Sequence, residues 1–259
     1  MLSRLLQRRL RSVPGIAVVL FAAVFPARAS QTDAYRSLPS GTPVEYVTYV
    51  KTNFAAAQAR HRAKPDDVEA AWQFGQASFD RADLATNSAE RAAIAEEGIA
   101  ACEIAVTQGP KVAAGHYYLG MNLGQLAQTK TLGALKIVKR METEFIAACG
   151  LDENFDRAGP DRNLGLLYRE APTVLSIGNR KDAHEHLLRA IKLAPRYPEN
   201  VLNLIEAYIK WSELADARPQ LKALDTLWPA ARTNFVGIEW SASWVDWNQR
   251  RAKARKALE

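Results

Sequence analysis

Two histidines, His184 and His186, stand close together in the segment Asn179 to Pro195, which reads NRKDAHEHLLRAIKLAP. They make up half of the four histidines in the chain, and acidic residues lie beside them. A zinc-binding helix places its two histidines four residues apart, so that both face the same ion. Histidines two apart on a helix point about 200° away from each other. The spacing therefore predicts no metal site, and we expect both rings on the solvated side.

The same segment contains a second pattern, a stripe of packing residues along one helix face. Ala183 is followed by Leu187 four residues later, by Ala190 seven later and by Pro195 twelve later. The same offsets occur at Gly98, Cys102, Ala105 and Pro110, at Met141, Phe145, Ala148 and Glu153, and at Ala217, Leu221, Leu224 and Pro229. The two prolines Pro195 and Pro229 are 34 residues apart, which is the period of a tetratricopeptide repeat.

A partner helix precedes each stripe and has a packing pair followed by a bulky residue. The pairs are Leu119-Gly120 with Leu123, Leu164-Gly165 with Tyr168, and Leu204-Ile205 with Tyr208, and a looser version is formed by Trp72, Gly75 and Phe79. These residues resemble the tetratricopeptide consensus over about residues 66–229. We predict an all-α fold, an α-solenoid of about four irregular tetratricopeptide-type hairpins whose first helices line a concave groove.

The predicted repeat domain covers residues 43–259, after a flexible linker over 30–42. The repeats are placed at 66–110, 111–153, 154–195 and 196–229, with an N-terminal capping helix before them and a C-terminal cap over 230–259. In that cap Trp240, Trp244 and Trp247 share one helix face, either to cover the last repeat or to stack on a ligand. Three repeats are about 8–11 residues longer than usual, and we expect the additions mostly between the two helices of each hairpin, along one edge.

The first 29 residues have the features of a secretory signal. Arginines precede a short apolar run from Val13 to Phe25, and Ala27-Arg28-Ala29 matches the small-x-small cleavage rule. The run is shorter than the roughly 20 residues of a membrane span, although a retained anchor is the alternative. Residues 1–29 hold five of the 34 basic residues and none of the 28 acidic ones, so the mature charge is near +1 instead of +6. The sequence thus predicts a periplasmic protein without a lipid-modified cysteine, a membrane span or nucleic-acid binding.

Motifs for catalysis are missing from the sequence. It contains no C-x-x-C, no Gly-x-Ser-x-Gly turn and no correctly spaced phosphate loop, so neither an enzyme nor a cofactor is expected. Cys102 and Cys149 can form a disulfide in an oxidising compartment or stay free as small buried hydrophobes.

The concave groove is the predicted binding site. The repeat frame assigns to it Gln73, Tyr117, Met121, Gln125, Arg162, Leu166, Arg169 and Glu206. Arg162 and Arg169 are seven residues apart and so share a face, and two guanidinium groups over an apolar floor would suit a ligand with a carboxylate head and an apolar body. In the alternative interpretation Arg162 pairs with Asp161 or Glu206 and only keeps the groove soluble.

The run AGPDRNLGLLYREAP from Ala158 to Pro172, then Ser176-Ile177-Gly178 and the helix ending at Pro195, resembles the T component associated with TRAP transporters (TatT). The resemblance extends over about residues 95–230. It implies a periplasmic homo-oligomer, a trimer, with a channel in each protomer that passes a small apolar or carboxylate ligand to a substrate-binding protein. The sequence therefore leads to two hypotheses, a ligand-handling subunit of a TRAP uptake system and a cell-envelope scaffold whose groove binds a peptide segment.

Overall fold

The computed structural model describes residues 40–130, 133–173 and 176–259. Within these ranges the chain forms ten α-helices and one 3-10 helix, with no strand, which confirms the predicted all-α class. The helices are α1 (Val44–Ala63), α2 (Val68–Asp83), α3 (Ser88–Gln108), α4 (Ala113–Ala127), α5 (Ala134–Leu151), α6 (Gly159–Glu170), α7 (Arg180–Leu193), α8 (Pro198–Lys210), α9 (Leu214–Asn234) and α10 (Ser241–Leu258), with the 3-10 helix at Ile238–Trp240. The predicted signal peptide lies outside the described residues, and in the described part no helix is long and apolar enough to cross a membrane.

Four helical hairpins stack in chain order: α2 with α3, α4 with α5, α6 with α7, and α8 with α9. Several of their helices begin where the sequence provides a side-chain cap. Asp67 accepts a hydrogen bond from the backbone N–H of Ala70 at 2.7 Å, and Asn87 accepts one from Glu90 at 2.9 Å. Each cap satisfies an N–H group that has no partner within its own helix, and so fixes where α2 and α3 start.

The predicted packing stripes form the centre of each hairpin. Ala183, Leu187 and Ala190 are fully buried, and the same holds for Met141, Phe145 and Ala148 and for Cys102 and Ala105. Each glycine of the partner helix provides the space for the large residue of the stripe. A Cβ added at Gly120 would lie 2.6 Å from the Phe145 ring, and one at Gly165 would lie 2.7 Å from Leu187 Cγ. The two helices therefore approach as closely as a missing side chain permits.

The fourth hairpin departs from this rule and shows why the glycine matters. Ile205 stands at the glycine position, and Leu221, the large residue that should insert there, remains partly exposed. Ala217 and Leu224 of the same stripe are fully buried. Where Ile205 replaces the glycine, its own side chain is buried and the large residue of the stripe is not.

The additional residues of the long repeats fall in different places. In the first hairpin the connection is short, residues 84–87, and α3 is 21 residues long. In the third hairpin α7 has only 14 residues, and the connection runs over residues 171–179. The additions thus lengthen a helix in one repeat and a loop in another, so the expectation that they fall mostly between the two helices of a hairpin holds for the third hairpin and is wrong for the first.

The C-terminal cap is built from aromatic side chains. Trp247 is fully buried and Trp240 nearly so, and both rings contact Phe235 and Tyr197. Trp244 donates its indole N–H to the carbonyl of Phe235 at 2.7 Å. The tryptophans therefore cover the last repeat, as the first of the two interpretations predicts.

Helix α9 does not stop at Pro229, where the repeat pattern predicts its end. It continues through Pro229 to Asn234, with Trp228 and Ala231 buried on either side of the proline. A proline inside a helix removes a single backbone hydrogen bond, and burial of the flanking residues offsets that loss.

The two ends of the repeat domain meet. Tyr46 and Val50 of α1 are buried together with Ala242 of α10, and the Gln249 side chain donates to the carbonyl of Ser40 at 2.9 Å. Helix α10 also packs against α8, the first helix of the last hairpin. First helices line the concave face of a solenoid, so α10 covers that face at this end of the molecule.

Candidate functional site

The residues assigned to the concave groove lie mostly inside the protein. Tyr117, Met121, Gln125, Arg162 and Leu166 are each at most 2% exposed, the Arg169 side chain is 6% exposed, and Gln73 and Glu206 are partly exposed. The structure brings Tyr117 and Arg162 into direct contact. Arg169 and Glu206 form a second, looser pair at 3.9 Å, Gln73 and Gln125 bond to other polar side chains, and Met121 and Leu166 are buried apolar residues.

Both terminal nitrogens of the Arg162 guanidinium have partners within the chain, while its Nε is buried without one. Its Nη2 donates to Asp156 Oδ2 at 2.7 Å and to the Tyr117 hydroxyl at 3.2 Å, and its Nη1 donates to the carbonyls of Asp156 and Arg157 at 3.1 and 3.2 Å. Burial by itself would lower the pKa of the guanidinium, but the Coulombic effects of Tyr117 and Asp156 raise it above its ordinary value. The interpretation that Arg162 pairs with Asp161 or Glu206 is wrong, because the loop before α6 places Asp156 beside the guanidinium group.

That loop is an unusual turn, which we call the wedge and define as residues 155–158. Asp156, Arg157 and Ala158 are consecutive left-handed residues with φ of 46°, 56° and 61°. The left-handed conformation costs about 1–2 kcal/mol for each residue with a side chain. Arg162 holds two of the wedge carbonyls, and the Tyr117 hydroxyl donates to Asp156 Oδ2 at 2.6 Å. The buried polar side chains thus stabilise a backbone that would not persist without them.

The wedge fills the centre of the concave face. The Phe155 ring packs edge-on against Tyr117 and Tyr118 of α4, and the guanidinium of Arg157 lies 4.8 Å from the centre of the Trp240 ring. Asn200 of α8 donates to the carbonyl of Arg157 at 3.2 Å. The wedge therefore joins α4, α6, α8 and the C-terminal cap.

Arg169 has partners that differ from those of Arg162. It donates to Glu170 Oε1 at 2.7 Å and to the carbonyl of Asn203 at 3.1 Å. Glu206, which was expected to flank the groove, instead binds Arg250 of α10 through both carboxylate oxygens, at 2.7 and 2.9 Å. The two arginines consequently do not form a pair of free guanidinium groups for a carboxylate ligand.

The remaining groove residues also have partners in the chain. Gln125 accepts a hydrogen bond from Arg91 and donates to Asp83 Oδ1 at 2.6 Å, across the turn between α2 and α3. Gln73 accepts one from Arg60 of α1.

A cavity of about 310 Å³ remains beside the wedge. It is lined by Gln76, Tyr118, Asp152, Asn154, Phe155, Asp156 and Arg157. One helical turn beyond Gln76, burial raises the pKa of Asp80 well above its ordinary value, and Asp83 and Asp156 raise it further. Asp152 and Asp156 line the cavity together with Arg157, so it presents charges of both signs.

The two histidines of α7 are partly buried and hydrogen-bonded, which corrects the expectation that both lie on the solvated side. His184 Nε2 lies 2.8 Å from the Tyr208 hydroxyl of α8, and His186 Nδ1 lies 2.8 Å from Asp161 Oδ1 of α6. They point to different helices, as their spacing predicts. In the described part of the chain no three metal-binding side chains come together.

Both cysteines are free. Cys102 is buried in the first hairpin against Gly75, and Cys149 donates its thiol to Asp161 Oδ2 at 3.4 Å. Burial and then the negative charge of Asp161 raise the pKa of Cys149 to about 11. The nucleophilic form of a cysteine is the thiolate, so Cys149 is protonated and unreactive at neutral pH.

An open apolar groove lies between α3 and α5, on the face of the solenoid opposite the concave one. We call it the convex groove; it has a volume of about 640 Å³. Its apolar side chains are Ile99, Ala100, Leu123, Leu126 and Ile137, its acidic edge is Glu96 and Glu103 on α3, and its basic edge is Lys136, Lys139 and Arg140 on α5, with Thr143 beyond them. Helix α4 packs against both α3 and α5 and forms the floor. One exposed ion pair, Arg140 to Glu103 at 2.6 Å, connects the two edges, and a second joins Glu96 to Lys130 in the connection between α4 and α5 at 3.8 Å.

Sequence reasoning missed the convex groove because it assigned the binding face from the repeat pattern. One signal was present: Glu96 and Glu103 are seven residues apart, and so are Lys136 and Thr143, so each pair marks one edge of a helix. The repeat offsets do not predict that α3 and α5 stand far enough apart to expose Leu126 of α4 and Ile137 of α5. That separation is a tertiary property.

Comparison with known proteins supports the fold. No family model matches the chain, and no curated protein matches it. A solved structure, a thermophilic TPR protein from Thermus thermophilus, is 15% identical and aligns over 82% of this chain and 94% of its own length, with a TM-score of 0.58. The chain has a tetratricopeptide-repeat fold. The resemblance of the sequence to the T component of TRAP transporters stays a prediction.

Proposed function

We propose that this tetratricopeptide-repeat protein acts by binding another protein and not by catalysis. The observation that carries the proposal is the convex groove, an apolar recess of about 640 Å³ with one acidic and one basic edge. Stacked helical hairpins form extended binding surfaces, and apolar recesses bordered by polar residues commonly mark protein-binding sites. The fold and the groove therefore both support a scaffold function.

The usual binding face of a solenoid, its concave side, is occupied by the chain itself. The wedge fills its centre and α10 covers it over the last hairpin. A peptide on that side would have to displace the ion pairs of Arg162 and Arg250, both of which are buried. A peptide that binds in the convex groove has to break only exposed ion pairs, which contribute little to stability. We therefore assign partner binding to the α3–α5 face.

A photoreactive amino acid tests the proposal in living cells. It is placed at three exposed alanines: Ala100 in the convex groove, Ala56 on α1 and Ala230 on α9. Ultraviolet light is expected to link a protein partner at Ala100. If none of the three positions captures a protein, the scaffold function is wrong.

Export belongs to the same proposal, because the predicted secretory signal over residues 1–29 assigns the protein to the periplasm and its partner to the cell envelope. Cleavage after Ala29 would leave Ser30 as the first residue. Mass spectrometry of the protein from a periplasmic fraction is expected to find that N-terminus. Recovery of the full chain from the cytoplasm would contradict it.

The role of a TRAP ligand-handling subunit is a second candidate, and the cavity beside the wedge is the observation that favours it. It requires a small molecule in that cavity and a trimer in solution. Native mass spectrometry of protein purified from cells measures both. If the protein is a monomer without a bound small molecule, the TRAP role is wrong and the scaffold function is the remaining proposal.

A further inference from the structure

We infer that the convex groove binds an amphipathic α-helix of the partner, with an apolar stripe between one acidic and one basic flank. This inference rests on the proposed function and identifies the partner's chemistry. It uses the shape of the recess, the charges of its two edges and the weakness of the contacts that now connect them.

The dimensions of the convex groove match two turns of a helix. Its edges run from Glu96 to Glu103 on α3 and from Lys136 to Thr143 on α5. At 1.5 Å per residue each edge is about 10.5 Å long. A helix laid along it places residues i, i+3, i+4 and i+7 of its apolar stripe over Leu126 and Ile137, which are partly exposed in the free protein.

The charges of the two edges determine the flanks of the partner helix. The α3 edge is acidic and the α5 edge is basic. A helix with one basic and one acidic flank satisfies both edges in one of its two directions, with the basic flank along α3. A helix whose two flanks have the same sign meets repulsion at one edge in either direction. The groove should therefore prefer mixed flanks and fix the direction of the bound helix.

The exposed ion pairs that the edge residues now form can be exchanged for contacts with the partner. Arg140 and Glu103 are each more than 40% exposed, and Lys130 and Glu96 are similarly open. Such pairs add little stability. A partner helix can replace them with pairs of its own, above an apolar floor that loses contact with water.

A second copy of this chain is a poorer occupant. Two identical recesses facing each other would leave both apolar floors uncovered, because a recess needs a ridge to fill it. A separate helix provides that ridge, as in other helix-in-groove complexes.

Binding of designed peptides to the purified protein tests the inference. Three fluorescent helical peptides share one leucine stripe and differ in their flanks: one basic and one acidic, both acidic, or both basic. Fluorescence anisotropy is expected to show the mixed peptide binding about tenfold more tightly than either of the others. High salt should reduce the difference, because these charges are exposed.

Variants of exposed residues provide the controls. Ala100→Trp fills the groove and should weaken binding of the mixed peptide at least about tenfold. Ala56→Trp, the same change on α1, should leave it unchanged. Arg140→Glu makes the α5 edge less basic and should shift the preference toward the peptide with two basic flanks. That change in preference cannot result from a partly unfolded protein.

Several results would overturn the inference. They are failure of the mixed peptide to bind, equal affinity for all three peptides, and binding that Ala100→Trp does not affect. The inference is also wrong if a small apolar molecule or a second copy of the chain binds in the groove and Ala100→Trp abolishes that binding. The groove would then have a different occupant. A cross-link to a protein from Ala56 or Ala230 in cells would still support the scaffold function, so the two proposals can fail separately.

Discussion

The contact between Gly75 of α2 and Cys102 of α3 permits a quantitative test of how these hairpins pack. A Cβ added at Gly75 would overlap the Cys102 sulfur, while Cys102 Cβ would lie at an ordinary 3.7 Å. Cys102 is fully buried, so its sulfur has no free space into which it can move. We predict that Gly75→Ala destabilises the protein and that Cys102→Ala, combined with it, restores most of the loss.

The expected free energies follow from two opposing effects. Overpacking a buried contact costs about 1–3 kcal/mol, and this overlap is severe enough for the upper part of that range. Alanine is a better helix former than glycine by about 1 kcal/mol, which leaves a net loss of roughly 2 kcal/mol for Gly75→Ala. Cys102→Ala removes one buried sulfur and should cost roughly 1 kcal/mol. In the double variant the new methyl group fills the space of the sulfur, so the total loss should stay below about 1 kcal/mol instead of reaching the sum.

Urea denaturation followed by circular dichroism measures these free-energy differences. In thermal denaturation the melting temperature of Gly75→Ala should fall by roughly 4–8 °C. Gly150→Ala is the matched control, because an added Cβ there meets nothing within 4 Å. It should be neutral or stabilise the protein by up to about 1 kcal/mol. If Gly75→Ala is as stable as the wild type, or if the double variant loses the full sum, the glycine packing argument is wrong.

Three further substitutions test the wedge, a loop and a helix cap. Asp156→Asn keeps the shape of the side chain but removes the carboxylate that pairs with the buried Arg162. It should lower the free energy of unfolding, measured by urea denaturation, by about 3 kcal/mol. A decrease of less than about 1 kcal/mol would contradict the role of the pair. Ser212 is exposed with φ of 62°, so Ser212→Gly should raise the unfolding free energy by about 0.5–1 kcal/mol, and any decrease would argue against backbone strain at this position. The pKa of Glu90 is lowered to about 2 by a backbone N–H and by Arg81, so stability from this carboxylate is present above its ordinary pKa and is lost as the pH falls toward 2. Glu90→Gln should therefore show a shallower loss of melting temperature between about pH 5 and 2, whereas an unchanged pH profile would exclude the contribution of Glu90.

The repeat architecture could be predicted from the sequence because it depends on local spacing. The stripe at Ala183, Leu187 and Ala190 and the glycines opposite three of the four stripes are set by helix geometry, and the burial of the stripe follows from it. Side chains at fixed offsets on a helix must share a face, whatever surrounds them. The same reasoning assigned the tryptophans to the C-terminal cap.

The state of the concave groove could not be predicted in this way. The wedge uses Asp156 and Ala158 in a left-handed conformation that glycine usually adopts, so no local signal marks it. Its stability depends on Arg162 and Tyr117, which come from two other helices. The return of α10 over α8 depends likewise on Arg250 meeting Glu206, a contact between residues 44 positions apart. Repeat offsets describe each hairpin and its neighbour, but not what later covers them.

The contact between α1 and α10 has a consequence for how the protein unfolds. In an open solenoid each repeat touches only its neighbours, so the terminal repeats fray first and unfolding spreads inward. Here Tyr46 and Val50 pack on Ala242, and the terminal elements support each other. Opening either end exposes apolar surface on both, which couples the first hairpin to the last. The chain should therefore behave as a loop of mutually dependent hairpins and lose its structure with greater cooperativity than a linear array of the same length.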